Sequence, residues 1–84
     1  MKLPNAVKQR IINLKIDNHM NLKQLSEKGK IKYSTIESFM NGKTRIIKVD
    51  TFLKVCDGFN ISPSEFFDDK LFKDVVDEYE KNNK

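Results

Sequence analysis

Apolar positions recur along the chain at spacings of three and four, in short runs separated by capping residues and glycines, and this pattern predicts helices throughout. Val7, Ile11 and Leu14 mark a first helix from about Asn5 to Asp17, flanked by Ile12 and Ile16. Asn5 is placed to cap it, and Asn18-His19 reads as its end. A second helix starts after Asn21, turns Leu22 and Leu25 inward, and is expected to stop where Gly29 supplies a backbone tolerant of positive φ. The third, about Lys32 to Met40, buries Ile36 and Phe39 before Asn41-Gly42. In the fourth, about Val49 to Gly58, the apolar positions are Phe52, Val55, Cys56 and Phe59. Ser62-Pro63-Ser64-Glu65 is a complete helix start: Ser62 caps, Pro63 takes the first position, and Glu65 can close a capping box before Phe66 and Phe67. A last amphipathic run, about Asp69 to Lys81, carries Leu71, Phe72, Val75, Val76 and Tyr79. No alternation of period two is sustained enough for a strand. The expected fold is all-α: a compact five-helix bundle over residues 1–68, then an additional C-terminal amphipathic helix with an acidic and polar tail over 69–84.

Composition narrows the functions this chain can have. At 84 residues it is one domain with one small core, which argues against an enzyme that needs a deep pocket and a supporting shell. Its net charge of +4 is unevenly spread. Residues 1–56 hold twelve basic and four acidic side chains, a net +8, whereas residues 57–84 hold four basic and eight acidic ones, a net −4. A basic body with an acidic tail is the charge footprint of a polyanion binder. No apolar run is long enough to span a membrane, and the start lacks the apolar stretch of a signal peptide, so a cytoplasmic protein is expected. Cys56, the single cysteine, lies on an apolar stripe and reads as a small core residue, not a nucleophile. His19 is a lone histidine and makes no metal set with one distant cysteine. Asp68 and Asp69 read as charges near a helix start. No catalytic constellation, metal site or cofactor is expected.

Leu25, Ser26, Ile31, Ile36 and Phe39 form the constellation that points to a function. Two helices meeting near a right angle need a small side chain where their axes approach, an apolar plug in the turn, and buried residues three apart on the second helix. Ser26, Ile31 and the pair Ile36 and Phe39 meet those three needs. Such a second helix can lie in the major groove of DNA.

The stretch Leu22 to Phe67 resembles the phage-repressor/Cro-like, Xre-type helix-turn-helix family. The resemblance rests on Leu25-Ser26-Glu27-Lys28, Ser34-Thr35-Ile36, Asn41-Gly42-Lys43, Phe52-Leu53-Lys54-Val55-Cys56, Phe59-Asn60-Ile61-Ser62 and Glu65-Phe66-Phe67. With the first helix it extends from about Val7 to Phe67 without a gap. It implies a five-helix bundle that binds operator DNA, usually as a dimer, and most often represses transcription. Three positions depart from the family pattern. Lys30 stands where glycine is usual, so either the left-handed residue moves by one or Lys30 itself carries the strain. Ile47 and Lys48 replace the proline and the Ser or Thr cap usual before the fourth helix. Lys32 replaces another such cap, and can instead reach a phosphate or a guanine edge.

The base-reading set expected from these positions is Lys32, Tyr33, Ser34, Glu37 and Ser38, because burial of Ile36 and Phe39 turns that face outward. The resemblance implies phosphate contacts at the start of the second helix and after the third, which here are Asn21, Lys23, Asn41, Lys43, Thr44 and Arg45. Thr35, on the third helix itself, either contacts phosphate or bonds back within the helix. The expected partners are a palindromic double-stranded operator and a second copy of the chain. Leu71, Phe72, Val75, Val76 and Tyr79 form either the dimer contact or an intrachain pad. The competing reading is a protein-interaction module of the same fold, such as a toxin–antitoxin partner or an anti-repressor, with weak or no DNA binding. The basic residues Lys32, Lys43 and Arg45 favour DNA.

Overall fold

The computed structural model describes residues 2–73 and Val75. Five helices follow one another, α1 (Leu3–Asp17), α2 (Leu22–Gly29), α3 (Tyr33–Met40), α4 (Val49–Phe59) and α5 (Pro63–Phe67), and a further helical stretch opens at Lys70. No strand is present among the described residues. The all-α expectation holds.

Helix α1 begins two residues before its expected cap. Lys2 is the N-cap and makes no side-chain cap bond, so Asn5 lies inside the helix and caps nothing. Pro4 decides this: in the first helical turn its missing N–H is not needed and its φ is already helical. Ala6, Val7, Ile11 and Leu14 are buried, while Ile16 points to solvent. The helix ends at Asn18, whose amide group donates to the Leu14 carbonyl at 2.7 Å, followed by left-handed His19.

Helix α2 opens with a full capping box. The Asn21 side-chain oxygen accepts the Gln24 N–H at 2.8 Å, and Gln24 Oε1 accepts the Asn21 N–H at 2.8 Å. Its other end corrects the expectation for Gly29, which stays helical while Lys30 takes the left-handed conformation at φ 56°. The Lys30 N–H donates to the Glu27 carbonyl and the Ile31 N–H to the Ser26 carbonyl at 2.8 Å, closing a Schellman turn over buried Ile31. A lysine in that conformation costs about 1 kcal/mol relative to glycine. Gly29 is needed for a different reason: a Cβ there would stand 2.5 Å from the Lys54 carbonyl oxygen of α4. At Gly58 a Cβ would meet the Leu25 side chain at 2.7 Å and the Gly29 N at 3.2 Å. The two glycines let α2 and α4 cross in backbone contact. Ser26 is buried as expected, and its hydroxyl donates to the Lys23 carbonyl at 2.6 Å.

Helix α4 runs one residue further than its pattern indicated and ends in a second Schellman turn, with Asn60 left-handed and the Ile61 N–H on the Cys56 carbonyl. Val55, Cys56 and Phe59 are buried, with Phe52 half-buried beside them. Burial pushes the Cys56 thiol above its ordinary range, and the neighbouring Asp57 carboxylate adds to the shift. Ionising Cys56 therefore favours the unfolded chain, so its share of stability is complete below the ordinary thiol pKa and is lost as pH rises beyond it. Accordingly, a thiol reagent at pH 8 should label the folded protein far more slowly than the chain in denaturant, read by absorbance. Equal rates would place Cys56 at the surface.

Helix α5 has its capping box as expected, Ser62 Oγ accepting the Glu65 N–H at 3.2 Å. Phe66 is fully buried and Phe67 is 44% exposed. The chain then turns at Asp69, whose Oδ1 accepts the Leu71 N–H at 3.0 Å. Phe72 and Val75 are buried in the common core and Leu71 packs against it. These side chains form an intrachain pad, and the core is therefore not closed at Phe67. Val76 and Tyr79 lie outside the described residues.

Candidate nucleic-acid interface

Helix α3 is anchored by Ile36 and Phe39, both buried, and this sets the direction of every other side chain on it. Ser34 and Thr35 are exposed, Tyr33 is 44% exposed, and Glu37 and Ser38 are half-buried. Lys32 is the N-cap, without a side-chain cap bond, and is exposed. After α3, Gly42 takes a positive φ of 80° and the Lys43 N–H returns to the Ser38 carbonyl at 2.9 Å, which fixes the start of the following loop. Asn41, Lys43, Thr44 and Arg45 are all exposed there, and Asn21 and Lys23 lie at the start of α2. The side-chain oxygen of Asn21 is occupied by the cap, so what α2 offers an anion at this point is the Asn21 Nδ2 amide, the helix dipole and Lys23.

These residues divide over three surfaces. Tyr33 sits in a shallow depression with Lys23, Ser26 and Glu27 of α2. Lys32, Ser34, Thr35, Ser38 and Thr44 line one side of an open cleft of about 500 Å³ that continues to Lys48, Thr51 and Lys54 of α4. Arg45 is turned the other way, onto an apolar groove with Leu3, Pro4, Ile46, Val49 and Phe67. Asn21, Glu37, Asn41 and Lys43 line none of the three.

Two basic side chains have places that spacing did not reveal. Lys8 of α1 holds its ammonium 5.3 Å from the centre of the Phe39 ring, beside Gly42, adding a positive charge under the loop after α3. Arg10 is withdrawn from the basic surface. Its Nε–H donates to the Phe66 carbonyl at 2.8 Å, Nη2 to the Glu65 carbonyl at 2.8 Å, and Nη1 to Asp69 Oδ2 at 3.3 Å. Asp69 thus pairs with α1 as well as capping the turn after α5. Nothing in the spacing of Arg10 and Asp69, 59 residues apart, announces the pair.

A short α2, a buried Ile31 plug, and an α3 held by two buried side chains with polar and basic residues outward define a helix-turn-helix domain. The chain belongs to the Cro/C1-type HTH DNA-binding domain family, whose family model matches residues 10–70. The comparisons with curated proteins and with solved structures each give no match. Family membership makes this a DNA-binding regulator of transcription, and the family is not one of enzymes. No described helix is long and apolar enough to cross a membrane.

Proposed function

We propose that this chain is a sequence-specific repressor that places α3 in the major groove of a palindromic operator, acting as a homodimer. One observation carries the reading: α3 is held by Ile36 and Phe39 so that Lys32, Ser34 and Ser38 stand on an open polar face, in a body whose first 56 residues carry a net +8. Lysine can donate to guanine O6 and N7, serine can serve either base type, and Glu37 can accept from cytosine N4. Lys43, Arg45 and Lys23 supply charge that raises affinity for any sequence. Doubling the half-site is how a module of this size gains specificity, with two recognition helices about 34 Å apart.

Selection of duplexes from a random pool, followed by titration at several salt concentrations, tests this. Lys43→Ala and Arg45→Ala should weaken binding to all duplexes alike and reduce the salt slope by about one unit for each phosphate no longer neutralised. Tyr33→Ala or Ser34→Ala should change the preferred base, at about 1–3 kcal/mol for each base edge no longer read. Absence of salt-dependent affinity for every duplex in the pool would end the proposal. A second reading, a protein-interaction module, draws on the apolar groove of about 390 Å³, around which Ile46 is 80% and Val49 74% exposed. The same titration separates the two, since that module would need no duplex.

A further inference from the structure

We propose that the apolar groove enclosed by α1, α4, α5 and the loop after α3 is the seat of the chain's own C-terminal segment, with Val76 and Tyr79 as its apolar anchors and the acids Asp77, Glu78 and Glu80 set against Arg45 and Lys8. Docking is independent of the DNA-binding reading above, and only its effect on affinity rests on that reading.

The groove is a hollow of about 390 Å³ lined by Leu3 and Val7 of α1, Ile46 of the loop, Val49 and Phe52 of α4, and Phe67 of α5. Its lining is apolar throughout except for Arg45. Leu3, Ile46, Val49 and Phe67 are all exposed. An apolar residue standing alone in water is ordinary, but four on one concave surface are not, and covering them is favourable.

The chain leaves the described core beside this groove. Phe72 and Val75 are buried, and the Phe72 ring stands 4.8 Å from the Phe67 ring, which lines the groove. Val76 and Tyr79 follow Phe72 by four and seven positions, the helical spacing that begins with Phe72 and Val75. Tyr79 is four positions past Val75, a reach of about 6 Å at helical rise and about 13 Å fully extended. With Phe67 one ring away from Phe72, either reach brings Tyr79 to the hollow.

Charge favours this occupant over a second copy. Arg45 is the only charged residue lining the groove among the described residues, and the Lys8 ammonium stands 5.3 Å from the centre of the Phe39 ring, which lines it too. The segment Val76-Asp77-Glu78-Tyr79-Glu80 holds three acids and no base. Opposite charges therefore meet around an apolar contact. A two-fold contact of groove on groove would instead turn Arg45 and Lys8 toward the same two cations of the other copy, like on like. The tether adds to the preference, because a linked segment is present at an effective concentration of about millimolar. Docked acids engage Arg45, one of the charges proposed to neutralise phosphate, so the segment lowers affinity for any duplex.

The test uses the full chain in solution. Nuclear Overhauser contacts are expected between the Tyr79 ring protons and the Ile46 and Val49 methyl groups, and they should persist on dilution. Tyr79→Ala should shift those methyl signals and raise the fluorescence of a dye that binds apolar surface. In a mixture of two differently labelled samples, the contacts should stay within one molecule. Contacts between molecules would mean that a second copy's segment fills the groove, and absence of contacts would leave it unfilled. Either result overturns the proposal. The effect on DNA is read separately. Asp77→Asn, Glu78→Gln and Glu80→Gln together should tighten binding to a non-operator duplex about two- to fivefold, the range of an exposed ion pair. That gain should vanish in an Arg45→Ala background, and a gain that survives there would show an undocked acidic segment repelling DNA, against the proposal. If the parent binds no duplex while the Tyr79 contacts are present, the DNA-binding reading falls and the docking stands.

Discussion

Phe66→Ala is expected to lower the unfolding free energy by about 3–5 kcal/mol, the cost of truncating a fully buried ring whose neighbours relax only in part. Phe66 has no exposed surface and stands between three other rings. Its centroid is 4.9 Å from that of Phe52 at an interplanar angle of 87°, 5.3 Å from Phe67 and 5.9 Å from Phe72. These four rings join α4, α5 and the helical stretch after Asp69, so the loss is shared among three elements. A domain has about 5–15 kcal/mol of stability in total, so the variant should sit near its folding limit. Phe67→Ala is the control, because Phe67 is 44% exposed and should cost markedly less. Urea denaturation of both proteins gives the answer. Equal losses at 66 and 67 would mean that α5 is rotated from the orientation described.

The second large effect is expected at Arg10. Arg10→Met should cost about 2–3 kcal/mol, since it removes the side-chain donor to the Phe66 carbonyl, leaves the Glu65 carbonyl with the Asp68 N–H as its donor, and removes the partner of Asp69. The pair is partly shielded, with side chains 14% and 28% exposed, which places it above a surface ion pair and below a fully buried one. Arg10→Lys should recover little of this, because an ammonium group cannot serve three acceptors in a planar fork. The salt slope of DNA binding should be unchanged in the folded variant, in contrast to Arg45→Ala. A slope that falls with Arg10→Met would return this residue to the DNA-binding surface.

Local rules made much of this fold readable. Asn21 and Ser62 cap helices because their side-chain oxygens reach an N–H three residues on, and such reach is a property of a few consecutive residues. Ile36, Phe39, Val55 and Phe59 recur at helical spacing and are buried together. Gly29 shows where local reasoning stops. A glycine at a helix end suggests a left-handed turn, but here the glycine is required by the Lys54 carbonyl, far along the chain on α4, and Lys30 takes the strained conformation.

The sequence by itself determined the helices, the caps at Asn21 and Ser62, the buried face of α3 and the basic character of the first 56 residues, because each depends on spacings within a turn or two or on composition alone. Tertiary structure decided the rest. It drew Arg10 away from the basic surface to Asp69, brought Gly29 against α4, folded Phe72 and Val75 into the core, and set Thr44 and Arg45 on opposite sides of one loop. Each of these depends on how two helices distant in the chain cross, and that geometry is set by the packing of whole faces, which no short window of residues contains.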